Sequence, residues 1–408
     1  MADVTSALRD GKTWLGLIVL ALVLLVGIFV TGPFRLWSWL VAFKTWLLVL
    51  VVLELAMALA TRSRDVKVYL GIGVSVFFIW LAFRKLDPAM MWDSIVSANP
   101  WLLGFVSAQV LFMLFVRGHR WALFLKPVKP GLSWIALGWS TCIGFAVNNL
   151  LPARLGEIAR SVSAARKTDI PFPTIFGTVV VERIYDTLSI LVLFVLSLFL
   201  WDFAGPMDKL AAAVKGEFGY EITQQSIAVN LSILVGLIIA IVIVLKWKTE
   251  FSVKVTRLIL TPLPARWTEK IVGVQRTFIG GLTQTTNPLE VIWIIFLSGS
   301  LWVISWFSVL VGLWACGIDA TSTDAVMVIM AMVVAVSIPA SPGYVGTYHF
   351  LAATAITLTA GVSWDQAMGA ATVIHLANYL PQTLSGLFAL GREDLSIRQI
   401  QATAEKAT

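Results

Sequence analysis

Charged side chains, histidine and cysteine are all scarce in this sequence. Of its 408 residues only 13% are charged, whereas soluble domains carry about 25%. Its two cysteines, Cys142 and Cys316, cannot form a disulfide framework. The sequence also lacks a Gly-x-Ser-x-Gly turn, a His-x-x-x-His pair and a glycine-rich phosphate loop, which are signatures of hydrolases, zinc enzymes and nucleotide-binding domains. We therefore expect no catalytic residues, no metal and no cofactor.

Hydrophobic residues, by contrast, make up 58% of the chain. Apolar runs close to the roughly 20-residue length of a membrane-spanning helix recur from end to end. They cover, approximately, residues 14–31, 39–60, 67–83, 99–117, 172–200, 226–246, 288–314 and 366–390. The first run is followed by no cleavage-site pattern, so we expect it to be retained. The sequence therefore predicts an all-α polytopic membrane protein with about eight transmembrane helices.

The distribution of lysine and arginine predicts the orientation of these helices. Basic residues cluster after the second run, within 246–287, and in a predicted loop after the fourth run that contains Arg117, Arg120, Lys126 and Lys129, whereas 201–225 is rich in acidic residues. The positive-inside rule places the basic segments in the cytoplasm. We expect a multi-pass protein of the bacterial inner membrane with both termini cytoplasmic. The net charge of +7 is explained by these loops, and we expect no binding of nucleic acid.

Two further apolar regions, 132–151 and 322–360, are interrupted by proline and glycine. If 132–151 crossed the membrane, the basic residues from Arg154 to Lys167 would lie outside. We therefore predict that 132–167 is a re-entrant hairpin that enters from the cytoplasm, and that 322–360 is a second hairpin from the opposite side. The alternative is that the positive-inside rule is poorly obeyed here. Irregular backbone at membrane depth requires protein or a water-filled cavity around it.

The two halves of the chain also resemble each other. Pro152–Gly156 matches Pro342–Gly346, and the helix that follows each can be aligned so that Arg183 meets His375 and Asp186 meets Asn378. Together with the orientation, this predicts an inverted-topology repeat, with a site near the midplane where the broken segments meet. The predicted divisions are an extra N-terminal helix pair at 1–64, the first repeat at 65–225, the inverted second repeat at 226–391 and a cytoplasmic tail at 392–408.

The first cluster of candidate site residues surrounds the break at Pro152. Asn148 and Asn149 offer amide groups, and Arg154 and Arg160 offer planar donors that suit phosphate. Glu157 stands at the restart of the helix, whose free N–H groups favour an anion. The alternative is that both arginines are only cytoplasmic anchors.

The second cluster is Glu182, Arg183 and Asp186, which lie within a long apolar helix. Ionisable residues at such positions are rare and often functional. Arg183 and Asp186 are three residues apart and can form a local pair, and Glu182 shares a face with Asp186. A structural ion-pair network between helices is the alternative.

The third cluster surrounds the break in 322–360. Its prolines and glycines cannot continue a regular helix, so their backbone groups need other partners. A histidine here could carry protons, or could simply be a satisfied core residue. The candidate residues are Ser341, Pro342, Gly343, Tyr344 and Gly346 at the break, with His375 and Asn378 on the last helix.

Three sequence runs resemble the lysylphosphatidylglycerol synthase transmembrane-region family, also called the flippase-like domain family. They are Asn-Asn-Leu-Leu-Pro-Ala-Arg-Leu-Gly-Glu at 148–157, Val-Val-Glu-Arg-Ile-Tyr-Asp at 180–186 and Pro-Ala-Ser-Pro-Gly-Tyr-Val-Gly at 339–346, and Arg117–Trp121 fits as well. The resemblance covers about residues 66–391. It implies translocation of a lipid. The candidate site that it implies consists of Asn148, Asn149, Arg154, Glu157, Arg160, Glu182, Arg183, Asp186, Pro342, Gly343 and Gly346. Fused members carry a soluble aminoacylating domain, an activity that we do not expect of this chain.

Three hypotheses follow. The leading one is a transporter of a phosphate-bearing lipid, or of a polyprenyl-linked lipid or glycolipid, in which Arg154, Arg160 and Arg183 hold the headgroup. The second is a membrane-embedded glycosyl- or headgroup transferase that uses Glu182 or Asp186 as a base. The third is a non-transporting scaffold of an envelope-assembly complex. The expected partner is a membrane lipid, and a homo-oligomer or an envelope-biosynthesis partner is left open.

Overall fold

The computed structural model describes residues 66–83, 86–151, 155–203, 249–261, 287–338 and 342–393, with scattered positions between 205 and 273. All regular structure within these ranges is helical. The predicted spans 14–31 and 39–60, most of 226–246 and the tail after 393 lie outside the described residues. So do Pro152, Arg154 and Ser341.

The described helices are, in chain order, α1 Val66–Phe83, α2 Pro88–Val96, α3 Pro100–Leu125, α4 Trp134–Leu150, α5 Gly156–Thr168, α6 Phe172–Leu200, α7 Thr249–Ile259, α8 Pro288–Ala315, α9 Ser322–Ser337, α10 Thr347–Ala360 and α11 Trp364–Glu393. A short 3₁₀ turn, Pro342–Tyr344, lies between α9 and α10.

Within the described ranges, α3, α6 and α8 are long and apolar enough to cross a membrane. They correspond to the predicted spans 99–117, 172–200 and 288–314. The predicted span 99–117 is too short, because α3 continues to Leu125. Arg117 and Arg120 therefore lie in a helix, and their predicted position in a loop was wrong. They continue the helix because buried carboxylates of α6 neutralise their charge.

Local signals at their first turns fix where these helices begin. Asn99 caps α3 through its side chain, which accepts hydrogen bonds from the backbone N–H groups of Trp101 and Leu102, and Pro100 occupies the first helical position. Asn287 and Pro288 start α8 in the same way. This pairing suits a helix start because proline has no N–H group to leave unsatisfied. The backbone N–H of Asn99 also donates to the carbonyl of Ala315 at 2.7 Å, which joins the start of α3 to the end of α8.

Glycines allow α4 to pack closely against three other helices. A side chain on Gly118 of α3 would lie 2.5 Å from the Cα of Gly138. One on Gly156 of α5 would overlap the carbonyl of Gly144, and one on Gly386 of α11 would overlap the backbone of α4. Small residues at helix contacts are typical of membrane proteins, where close van der Waals packing replaces the hydrophobic effect between helices.

Helical structure is interrupted at both of the predicted breaks. Between α4 and α5 the backbone is extended at Leu151, and the side chain of Asn148 accepts a hydrogen bond from Gly156 N–H at 2.7 Å. Between α9 and α10 the φ angles of Gly343 and Tyr344 are 70° and 56°. The interruptions are confirmed. The re-entrant course of the hairpins, the inverted repeat and the division into halves stay predictions.

Candidate functional site

A cluster of seven charged side chains joins α3, α5 and α6 inside the bundle. Each helix contributes at least one pair of residues that are three or four positions apart and therefore share a face. The cluster contains four guanidinium groups and three carboxylates. Its members are Arg117 and Arg120 on α3, Glu157 and Arg160 on α5, and Glu182, Arg183 and Asp186 on α6.

Asp186 is held by both arginines of α3. Its carboxylate accepts from Arg117 Nη1 at 2.9 Å and from Arg120 Nη1 at 2.6 Å. Arg120 Nη1 also donates to Ser298 Oγ on α8 at 2.7 Å, and Trp302 Nε1 donates to the backbone carbonyl of Asp186 at 2.9 Å. Asp186 thus connects α6 to both α3 and α8.

Glu182 is fully buried and lies among three arginines. Its Oε1 accepts from Arg160 Nη1 at 3.2 Å and lies 3.3 Å from Arg120 Nη2 and 3.5 Å from Arg183 Nη2. The guanidinium of Arg160 also lies over the ring of Trp121, at 4.8 Å from the ring centre. Because removing one partner of a buried ion pair leaves an uncompensated charge, this arrangement holds its members firmly together.

Arg183 is the most accessible arginine of the cluster, with 42% of its side chain exposed. Its guanidinium nitrogens lie 3.4 Å from Glu157 Oε1 and 3.6 Å from Asp186 Oδ2. The local Arg183–Asp186 pair that the sequence predicted is therefore present. Glu157 also pairs with Arg160 Nε at 3.2 Å, so this carboxylate bridges α5 and α6.

A cavity of about 600 Å³ lies beside the charged cluster. Its wall combines residues near the first break with residues of the turn, α10 and α11. Apolar residues such as Val110, Ile190 and Val333 line much of the remainder. The site residues predicted from the sequence that line it are Asn148, Asn149, Glu157, Arg160, Arg183, Asp186, Tyr344, His375 and Asn378.

Neutral and aromatic groups occupy the wall formed by α10 and α11. His375 Nδ1 lies 3.4 Å from His349 Nε2, and the ring of Tyr348 lies 4.3 Å from that of His375. Tyr379 Oη donates to the backbone carbonyl of Asn149 at 3.3 Å, and Asn149 Nδ2 donates to a threonine hydroxyl of α11 at 3.0 Å. The end of α4 is thereby connected to α11.

Several predicted site residues lie away from the cavity or outside the described residues. Glu182 belongs to the charged cluster but does not line the cavity. Gly343 packs against Tyr379, where an added side chain would lie 2.8 Å from the ring. Gly346, with a φ of 92°, faces α1, and Pro342 begins the turn. Arg154 and Ser341 lie outside the described residues.

Sequence reasoning missed Arg117 and Arg120 as members of the site. The available signal was their spacing of three positions on one helix, together with two acidic residues buried in another apolar helix. Four arginines and three carboxylates make a set suited to binding an anion.

Within the described ranges, no three histidine, cysteine or acidic side chains are placed to hold a metal ion.

The sequence of this chain matches one known relative and one family model. The protein named Glycosyltransferase AglD, from Haloferax volcanii, is 24% identical over 307 residues, which are 71% of this chain and 48% of that protein. The chain thus spans about half the length of that relative. No solved structure matches. The model of the family described as Lysylphosphatidylglycerol synthase TM region matches residues 68–386. That match covers most of a chain rich in apolar helices, so this is a multi-pass membrane protein that belongs to the lysylphosphatidylglycerol synthase TM region family.

Proposed function

We propose that the protein is a transporter that moves a phosphate-bearing lipid, or a polyprenyl-linked lipid or glycolipid, between the leaflets of the inner membrane. The observation that carries this proposal is the cavity, whose lining combines arginine side chains with apolar ones. Among the described residues, four guanidinium groups beside three carboxylates leave one positive charge in excess, which favours an anionic headgroup. The apolar residues of the lining suit the part of the lipid that continues into its chains.

The same proposal includes the predicted architecture. Two interrupted helix pairs, α4–α5 and α9–α10, each contribute to the wall of one cavity. In our proposal these pairs are re-entrant hairpins of two inverted repeats, with both termini in the cytoplasm. Support comes from the position of the breaks beside the cavity and from the basic segments of the sequence.

Substitution of Arg183 tests the proposal. Arg183→Ala removes the most accessible guanidinium, while Glu157, Glu182 and Asp186 each keep another arginine. We expect the purified variant to fold but to lose translocation of fluorescent phospholipids in reconstituted vesicles. The matched control is Arg257→Ala on α7, because that exposed arginine pairs only with Glu269 among the described residues. Normal translocation by the Arg183 variant would overturn the headgroup site.

A transferase is the second candidate, and the observation that favours it is the name of the relative from Haloferax volcanii. In such an enzyme Glu182 or Asp186 would act as the base. Both carboxylates already accept hydrogen bonds from arginines, which leaves less capacity to accept a proton from a substrate. The two candidates differ in their product. After incubation with lipid and a nucleotide-sugar donor, mass spectrometry should detect a heavier lipid only if the chain is a transferase.

A further inference from the structure

The short helix α2, at one end of the bundle, exposes a side made of apolar residues. Trp92 and Val96 are four positions apart and therefore share a face, and each is 64% exposed. Asp93 and Ser97 are also exposed, and they form the adjacent, polar side of the same helix. A helix with exposed apolar and polar sides next to each other is typical of the surface of a membrane.

The position of α2 along the chain brings it to the level of the bilayer surface. α2 ends at Val96, and α3, which is long and apolar enough to cross a membrane, begins at Pro100. A membrane-crossing helix begins near the boundary between hydrocarbon and headgroups, because its length matches the thickness of the bilayer. α2 is therefore held within a few residues of that boundary.

Two other tryptophans mark the same level of the bundle. Trp101 in the first turn of α3 is 86% exposed, and Trp314 in the last turn of α8 is 44% exposed. These two helix ends are joined by the hydrogen bond from Asn99 to Ala315. Indole rings are enriched at the headgroup level, where the apolar ring and its N–H group both find suitable surroundings. Trp92, which lies close to Trp101 in the sequence, has the same requirement.

The inner side of α2 is fixed to the start of α11. The backbone N–H of Asp87, which caps α2, donates to Asp365 Oδ1 at 2.8 Å. Ser94 Oγ donates to the backbone carbonyl of Gln366 at 3.4 Å. The two helices also approach each other closely, since a side chain on Gly369 would lie 2.8 Å from Ser94 Cβ. These contacts tie the position of α11 to that of α2.

We propose that α2 is an interfacial anchor. Its Trp92–Val96 side is embedded in the headgroup region of the bilayer, and its inner side holds the start of α11 at that level. Asn378, which lines the cavity, lies roughly 14 Å further along α11 than Gly369. That depth is close to the middle of a hydrocarbon layer about 30 Å thick. The partner of α2 is thus the lipid surface, and this contact sets the depth of the cavity wall on α11, whatever the cavity binds.

Spin labels on two sides of α2 test the proposal in the full-length protein, reconstituted alone into phosphatidylcholine vesicles. Val96→Cys and Ser97→Cys are each labelled with a nitroxide. Its collisions are measured with oxygen, which dissolves in lipid, and with a water-soluble nickel chelate. We expect the ratio of oxygen to nickel collisions to be several-fold higher at position 96, at a depth of about 5–10 Å. The unsubstituted protein is the control for labelling, because Cys142 and Cys316 are buried.

Two results of the collision measurement would overturn the proposal. Frequent collisions with the nickel chelate at both positions would place α2 in water, since no other protein is present to cover its apolar side. Collisions dominated by oxygen at both positions would place the whole helix in the hydrocarbon layer instead of at its surface.

A pair of glycine substitutions tests the attachment of α2 to α11. In Gly369→Ala the new methyl group overlaps Ser94, so we expect the nitroxide at position 96 to become several-fold more mobile. Gly104→Ala is the matched control, because the space beside that glycine of α3 is open, and it should leave the mobility unchanged. Equal mobility in both variants would show that α2 does not hold α11, and would overturn the anchor. If the Gly369 variant does not fold, the collision ratios at positions 96 and 97 still decide whether α2 lies in the bilayer surface.

Discussion

The two walls of the cavity stabilise buried polar groups in different ways. The wall from α3, α5 and α6 carries five of the seven side chains of the charged cluster, and every member of the cluster is paired with a residue of opposite charge. The wall from α10 and α11 holds neutral groups, in which His375 contacts His349 and Tyr348. In the predicted repeat, Arg183 aligns with His375 and Asp186 with Asn378. A buried charge needs partners from several helices, whereas a neutral polar group can be satisfied by its own helix or one neighbour.

We expect the largest effect on folding stability from removing Arg120, the arginine at the centre of the charged cluster. Arg120 is fully buried and contacts both Glu182 and Asp186. Arg120→Ala leaves both carboxylates with fewer partners, and we expect a loss of about 3–5 kcal/mol in folding stability. The measurement is thermal unfolding of the purified protein in detergent. Arg257→Ala, at an exposed pair, should change the Tm little. An unchanged Tm for the Arg120 variant would show that the charged cluster is not structural.

This contrast also explains which features the sequence could predict. The spans that became α3, α6 and α8, and the interruptions beside Leu151 and Gly343, depend on apolar length and on local proline and glycine. Such signals lie within short stretches of sequence.

The partners of the charged residues depend instead on contacts between distant parts of the chain. Arg120 meets Asp186 66 positions away and Ser298 178 positions away. Because the sequence does not show that pairing, the positive-inside rule assigned Arg117 and Arg120 to a loop. Gly346 was likewise expected at the cavity, but its backbone packs against α1.

A smaller effect is expected from placing a charge on the neutral wall. Asn378 Nδ2 donates to the carbonyl of Ile374 on its own helix at 2.8 Å. Asn378→Asp replaces that donor with a carboxylate that has no arginine partner on α11, and we expect a loss of about 1–3 kcal/mol. Asn378→Ser, which keeps a neutral donor, is the control. If both variants have the same Tm in detergent, the neutral wall tolerates charge and the comparison between the walls fails.

The smallest effect is expected at the histidine pair. The ring of His375 lies against those of His349, Tyr348 and Tyr379, an arrangement typical of core packing. His375→Gln should keep a neutral hydrogen-bonding group and reduce folding stability by only about 0.5–1.5 kcal/mol. We expect an imposed proton gradient to change lipid translocation equally in the variant and in the unsubstituted protein. Loss of a gradient response in the variant alone would instead identify the pair as the proton carrier, and the neutral wall would then drive transport rather than only bind the headgroup.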